Sequence, residues 1–130
     1  MSKSYDNHIP LFLPEKKLRK TINKITTNSL EPSVPKDPNN SVVFDFYKLF
    51  ATESQVAELD AWYRRGIGWG EAKLELFNVI NENLKGPREK YNELMADKSK
   101  IDLILQEGAE RVRPKASEFL TEVKKAIGVI

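Results

Sequence analysis

Gly70-Glu71-Ala72-Lys73-Leu74-Glu75-Leu76-Phe77-Asn78-Val79-Ile80-Asn81-Glu82-Asn83-Leu84-Lys85-Gly86-Pro87-Arg88-Glu89-Lys90-Tyr91-Asn92-Glu93-Leu94 carries the best-kept period in the chain. Phe77, Ile80, Leu84, Pro87, Tyr91 and Leu94 recur at steps of three, four, three, four and three. An α-helix has about 3.6 residues per turn, so these positions fall on one seam. The spacing predicts an amphipathic helix from near Gly70, with Gly86-Pro87 a kink rather than a stop. No run alternates with the period of two that a strand requires. The fold class that follows is all-α, a helical bundle of about five helices behind an extended N-terminal loop.

Towards the C-terminus, Asp97 or Ser99 restarts the chain into a last helix. Ile101, Ile104, Leu105, Ala109, Val112, Ala116, Leu120, Val123 and Ile127 supply its apolar side. Pro114 falls inside it, where it removes a hydrogen bond and bends the axis. Gly128 ends it. Towards the N-terminus, Gly66-Ile67-Gly68-Trp69-Gly70 reads as a turn packed by Trp69. A phosphate-cradling glycine loop would need a preceding strand, and a helical pattern precedes this run. That preceding helix starts at Thr52-Glu53, places Val56, Leu59 and Tyr63 in a stripe, and stops at Gly66. Before it, Asn40-Ser41 caps a short helix with Val43, Phe46, Tyr47 and Phe50 on one side. Asn28 to Asn40, with Pro32, Pro35 and Pro38, is a long connection.

A first helix runs from Glu15 to about Thr27 with Leu18, Ile22 and Ile25 on its stripe. Its other faces carry Lys16, Lys17, Arg19, Lys20 and Lys24, either as a solvated face or as one that meets phosphates. Ile9-Pro10-Leu11-Phe12-Leu13-Pro14 is an extended connector, because each proline disfavours helix at the residue before it.

Composition narrows the function classes. With 130 residues, 40% hydrophobic and 31% charged, the chain has the make-up of a folded globular protein. It has no cysteine and a single histidine, His8, so no thiolate metal site, His cluster or Ser-His-Asp arrangement is available. No apolar run approaches the roughly 20 residues that span a bilayer. The net charge of +2 is too small to bind nucleic acid by bulk attraction, so RNA contact requires local groups. The candidates are Arg64, Arg65, Lys73, Arg88, Arg111 and Arg113, with Trp62 or Trp69 as a stacking surface for an unpaired base. The plainer reading makes the tryptophans packing residues and the basic residues solvated helix partners.

Three blocks in order carry a resemblance. Met1-Ser2-Lys3-Ser4, followed by Tyr5-Asp6-Asn7 and Ile9-Pro10-Leu11-Phe12, resembles the K-M-S-K-S signature loop of class I aminoacyl-tRNA synthetases and the connector behind it. Gly66 to Lys73 with Pro87-Arg88-Glu89-Lys90-Tyr91, and then Ile104-Leu105-Gln106-Glu107-Gly108-Ala109-Glu110-Arg111, are similar to the C-terminal helical region of bacterial tryptophanyl-tRNA synthetases. The sequence lacks the first signature lysine, and it has Pro114 where the family's helix runs on smoothly.

The resemblance implies a C-terminal portion of such an enzyme, with residues 1–13 as signature loop and connector and 14–130 as the anticodon-binding helical domain. It implies ATP contact by Met1, Ser2, Lys3 and Ser4, with Lys3 the catalytic group acting on the pyrophosphate moiety. The implied partners are tRNA, and in the complete enzyme ATP with magnesium and tryptophan. It further implies a cytoplasmic enzyme that dimerises mainly through its nucleotide-binding domain. That domain is expected before the signature loop, so the chain alone is expected to be inactive. A stand-alone helical RNA-binding module, without catalysis, is the alternative.

Overall fold

The computed structural model describes residues 3–5 and 8–130, the side chain of Lys3 excepted. Among the described residues there is no strand. Five helices follow one another: α1 (Glu15–Asn23), α2 (Val42–Lys48), α3 (Glu53–Arg65), α4 (Trp69–Ala96) and α5 (Ser99–Ala126). Single 3-10 turns occur at Lys3–Tyr5 and Pro38–Asn40. The all-α reading holds.

Local chemistry explains where the helices begin. The Ser41 hydroxyl accepts from the Phe44 N–H at 3.3 Å and starts α2. At α3 the Thr52 hydroxyl accepts from the Gln55 N–H, and the Gln55 carboxamide oxygen accepts from the Thr52 N–H at 2.9 Å, a reciprocal capping box. At α4 a Glu71 carboxylate oxygen accepts from the Gly68 N–H at 3.0 Å. The end of α5 is a Schellman turn: Gly128 takes φ of 75°, the Val129 N–H donates to the Lys124 carbonyl, and the Gly128 N–H donates to that of Lys125.

The chain divides into two units, residues up to Glu89 and residues from Lys90 onward. The first unit holds the core. Leu18 and Ile22 of α1, Val43, Phe44 and Tyr47 of α2, Leu59 and Tyr63 of α3, Ile67, and Ala72, Leu76, Val79 and Ile80 of α4 are buried together. Ile9 and Leu13 of the connector pack against this cluster. The second unit is the end of α4 with α5, and α5 has no buried residue.

Several details differ from the sequence expectation. α1 ends at Asn23 rather than near Thr27, shortly before the run Thr26-Thr27-Asn28, whose two β-branched threonines and backbone-bonding asparagine disfavour helix. On α4 the buried stripe is Ala72, Leu76, Val79 and Ile80; Phe77 and Leu84 lie at its margin, and Pro87 is exposed while Arg88 is buried. A stripe one residue out of register satisfies the same period, so spacing alone could not separate the two. α4 and α5 both remain helical through Pro87 and Pro114. On α5 the expected apolar side is present but uncovered among the described residues, with Leu105 65% and Ile127 67% exposed.

The proline-rich connection is held by a lysine that no periodic signal marks. Lys36 is only 4% exposed, and its ammonium donates to the carbonyls of Glu31, Val34 and Pro32 at 2.8, 3.0 and 3.4 Å. The same Nζ lies 5.6 Å from the centre of the Trp69 ring. The loop thus folds around its own cation. Gly66 abuts this loop: its φ is 102°, and a Cβ there would sit 2.6 Å from the Ser33 carbonyl oxygen.

Gly66→Ala is expected to lower stability by more than about 2 kcal/mol in urea unfolding, through positive φ and a backbone clash. Gly70→Ala, whose Cβ would meet nothing within 4 Å, is expected to be neutral or stabilising. Lys36→Met, which strips the Val34 and Pro32 carbonyls of this donor and leaves Glu31 only the Val34 N–H, is expected to cost about 2–3 kcal/mol.

Candidate nucleic-acid interface

The six basic residues singled out from the sequence divide into those turned inward and those facing solvent. Lys73, half-buried on α4, donates to the carbonyl of Asn23 at 3.0 Å, at the C-terminal end of α1 where that helix's partial negative charge accumulates. Burial holds its pKa below the ordinary lysine value. Arg88 is 8% exposed and donates to the Asn81 carboxamide oxygen at 2.9 Å, with a Glu15 carboxylate oxygen 4.0 Å away. Its Nε and one terminal nitrogen are buried without a hydrogen-bond partner. Asn81 in turn donates to Glu15 at 3.0 Å, so the group ties α4 to the start of α1.

Arg64 and Arg65 close α3 and are both exposed. Arg64 forks onto Asp60 one turn back, at 2.6 and 3.2 Å. That contact holds the Asp60 carboxyl below its usual range and pushes the guanidinium up. Arg65 makes no ion pair or hydrogen bond among the described residues. Arg111 and Arg113 are exposed on α5, in the second unit. Of the signature residues, Met1, Ser2 and the Lys3 side chain lie outside the described residues; Ser4 is exposed.

The two tryptophans also part company. The Trp69 indole N–H donates to the Asn28 carboxamide oxygen at 3.0 Å, its ring stands edge-on to Tyr63 at 5.9 Å, and Lys36 sits over it. It is a packing residue. Trp62 is half-buried against the core and lines a cavity of about 370 Å³ with Arg65. Sequence reasoning named both tryptophans, and only the structure separates them.

A larger cavity, about 860 Å³, lies beside α1. His8, Ile9, Leu13, Lys17, Lys20 and Phe46 are among its walls. The His8 Nδ1 is buried there without a hydrogen-bond partner. The helical spacing of the lysines could be read from the sequence; the hollow beside them could not. No helix is long and apolar enough to cross a membrane, among the described residues.

No protein-family model matches the chain. Curated relatives do. The chain is 50% identical over 129 residues to the tryptophan–tRNA ligase of Neisseria meningitidis, covering 99% of itself and 38% of that protein. Against the same ligase of Pseudomonas syringae the identity is 42%, with 99% of this chain and 29% of the relative covered. The tryptophanyl-tRNA synthetase of Campylobacter jejuni, in a crystal structure complexed with ADP and tryptophan, superposes with a TM-score of 0.93 at 41% identity. That match covers 98% of this chain and 40% of that one. The chain therefore spans well under half the length of the relatives it matches.

Arg88→Met keeps the apolar stem and removes two unbonded donors, so urea unfolding is expected to shift by no more than about 1 kcal/mol. Asn81→Ala, which strips both Arg88 and Glu15 of a partner, is expected to cost more.

Proposed function

The chain is a homologue of the C-terminal part of bacterial tryptophan–tRNA ligases, and from that premise we propose that it contributes to the ATP-dependent charging of tRNA with tryptophan. Residues 1–13 supply the signature loop and connector, and 14–130 supply the helices that receive the anticodon end of tRNA. The observation that carries this reading is the match along 99% of the chain, with the three motif blocks in order.

Within the complete enzyme, Lys3 places a positive charge where negative charge develops on the departing pyrophosphate, in the transition state of adenylate formation. Ser2, Ser4 and the backbone N–H of Met1 donate to phosphate oxygens, and magnesium shares the same charge. Tryptophan and the body of ATP are held by the nucleotide-binding domain, which also forms most of the homodimer. The enzyme works in the cytoplasm. On the helical side, Arg65, Arg111 and Arg113 are exposed and suited to phosphates, whereas Arg64, also exposed, must first give up its fork onto Asp60. Lys73 acts instead by holding α4 to the end of α1, and Arg88 by bracing Asn81, which bonds Glu15 of α1. A stand-alone RNA-binding module is the second reading, favoured by the exposed arginines, which need no catalytic domain to act.

Lys3→Ala in the complete enzyme is expected to slow ATP–pyrophosphate exchange by about 100- to 1000-fold. tRNA affinity is expected to stay within about twofold, since Lys3 contacts no tRNA phosphate in this reading. Equal losses in both, or no loss in exchange, would remove Lys3 from the role. The 130-residue chain alone is expected to bind tRNA with a steep salt dependence and to show no exchange activity.

A further inference from the structure

The apolar side of α5 is uncovered among the described residues, and it is regular along its whole length. We propose that it is an interface between two copies of this chain, in which α5 pairs antiparallel with α5 of the partner. The inference goes beyond the tRNA reading and uses none of the residues expected to touch ATP.

The seam comes first. Ile101, Leu105, Gly108 and Val112 step by four, three and four. Ala116, Phe119 and Val123 repeat those steps from Val112, and Ile127 restarts the cycle. An eleven-residue repeat corresponds to about 3.67 residues per turn, so two such helices can pair along the whole seam with a slight right-handed coil. Leu105, Val112, Phe119 and Ile127 are each more than half exposed. Pro114 lies two residues past Val112, on the opposite face, so the hydrogen bond it lacks is on the solvent side. A continuous apolar strip of this length marks an interaction surface, unlike scattered exposed side chains.

The charges beside the seam choose the occupant. One flank carries Arg111 and Lys115, then Glu118 and Glu122, again at steps of four, three and four. None of the four makes an ion pair or hydrogen bond among the described residues. Basic at one end and acidic at the other, this row is complementary to itself only when reversed. An antiparallel copy sets Arg111 opposite the partner's Glu122 and Lys115 opposite the partner's Glu118, whereas a parallel copy sets like against like. The same register brings Leu105 level with the partner's Ile127 and both Ala116 side chains to the two-fold axis. Phe119 then enters the space between the partner's Val112 and the partner's Ala116, a knob in a hole. A partner of other sequence has no need of this reversal. α5 has 28 residues, so each copy offers a strip about 42 Å long and about 10 Å wide. Two such strips lie near the lower limit of specific interfaces, about 1,200 Å² in all, which suits a weak, reversible pair. Pairing occupies Arg111, so of the two α5 arginines Arg113 is the one left for phosphate.

Sedimentation equilibrium of the unaltered chain is expected to show monomer and dimer in exchange, with a Kd of about 1–100 μM. Val112→Asp alters an exposed residue, so indole emission from the first unit is expected to stay as it is while the Kd rises more than about 30-fold. Direction and register are read by cross-linking, since the chain has no cysteine of its own. Arg111→Cys and Glu122→Cys chains, mixed and mildly oxidised, are expected to form a disulfide-linked pair, and neither is expected to link to itself. A chain that stays monomeric well above that concentration range would overturn the interface, as would a dimer indifferent to Val112→Asp. Either cysteine chain linking to itself as readily as to the other would overturn the antiparallel register.

Discussion

Tyr63 is the constraint on which the first unit depends. It is fully buried at the last turn of α3, and each of its groups is used. Its hydroxyl shares a hydrogen bond of 3.1 Å with Ser41, the residue that caps α2. Its carbonyl accepts from the Lys36 N–H at 2.8 Å and the Gly66 N–H at 3.3 Å. Its ring meets Phe44 and Trp69 edge-on, at 5.3 and 5.9 Å. One residue, by its ring, hydroxyl and backbone carbonyl together, therefore fixes the start of α2, the proline-rich connection and the turn into α4. Burial raises its phenol pKa, while the Ser41 bond pulls the other way. The neutral phenol is the form that suits so dry a site.

This arrangement explains why Gly66 and Lys36 matter more than their solvent-facing chemistry suggests. Both lie where the connection crosses the end of α3. The lysine satisfies carbonyls that a proline-rich loop cannot pair with its own N–H groups, because proline has none. The glycine lets the chain turn with Ser33 already in place. Trp69 then closes the corner, with Lys36 over its ring and Asn28 on its nitrogen. With these held, α3 ends in a defined direction, and Trp62 and Arg65 come to one side of it.

Much of this was legible in the sequence, and the legible part has a common character. Helix starts at Ser41 and Thr52 and helix ends at Gly66 and Gly128 are set by side-chain or backbone chemistry within a few residues. The residues missed depend on partners far along the chain. Arg88 reads as a solvent cation until Asn81 and Glu15 are placed around it, and Lys73 until its contact with Asn23 is seen. The choice between Trp62 and Trp69 is of the same kind, since both are half-buried and only Trp69 finds distant partners, in Asn28, Tyr63 and Lys36. The register of α4 failed for another reason: its apolar residues are dense enough to support two adjacent stripes.

Both tryptophans and the entire buried core lie in the unit that ends at Glu89, whereas α5 contributes 28 helical residues and no buried one. The two optical signals used to follow unfolding therefore report on different material. Indole emission records the corner around Tyr63 and is blind to α5. Far-ultraviolet ellipticity weights every helical residue alike and carries α5 as a large share. The separation between the two melting curves would measure how far the second helix pair depends on the first unit for its order.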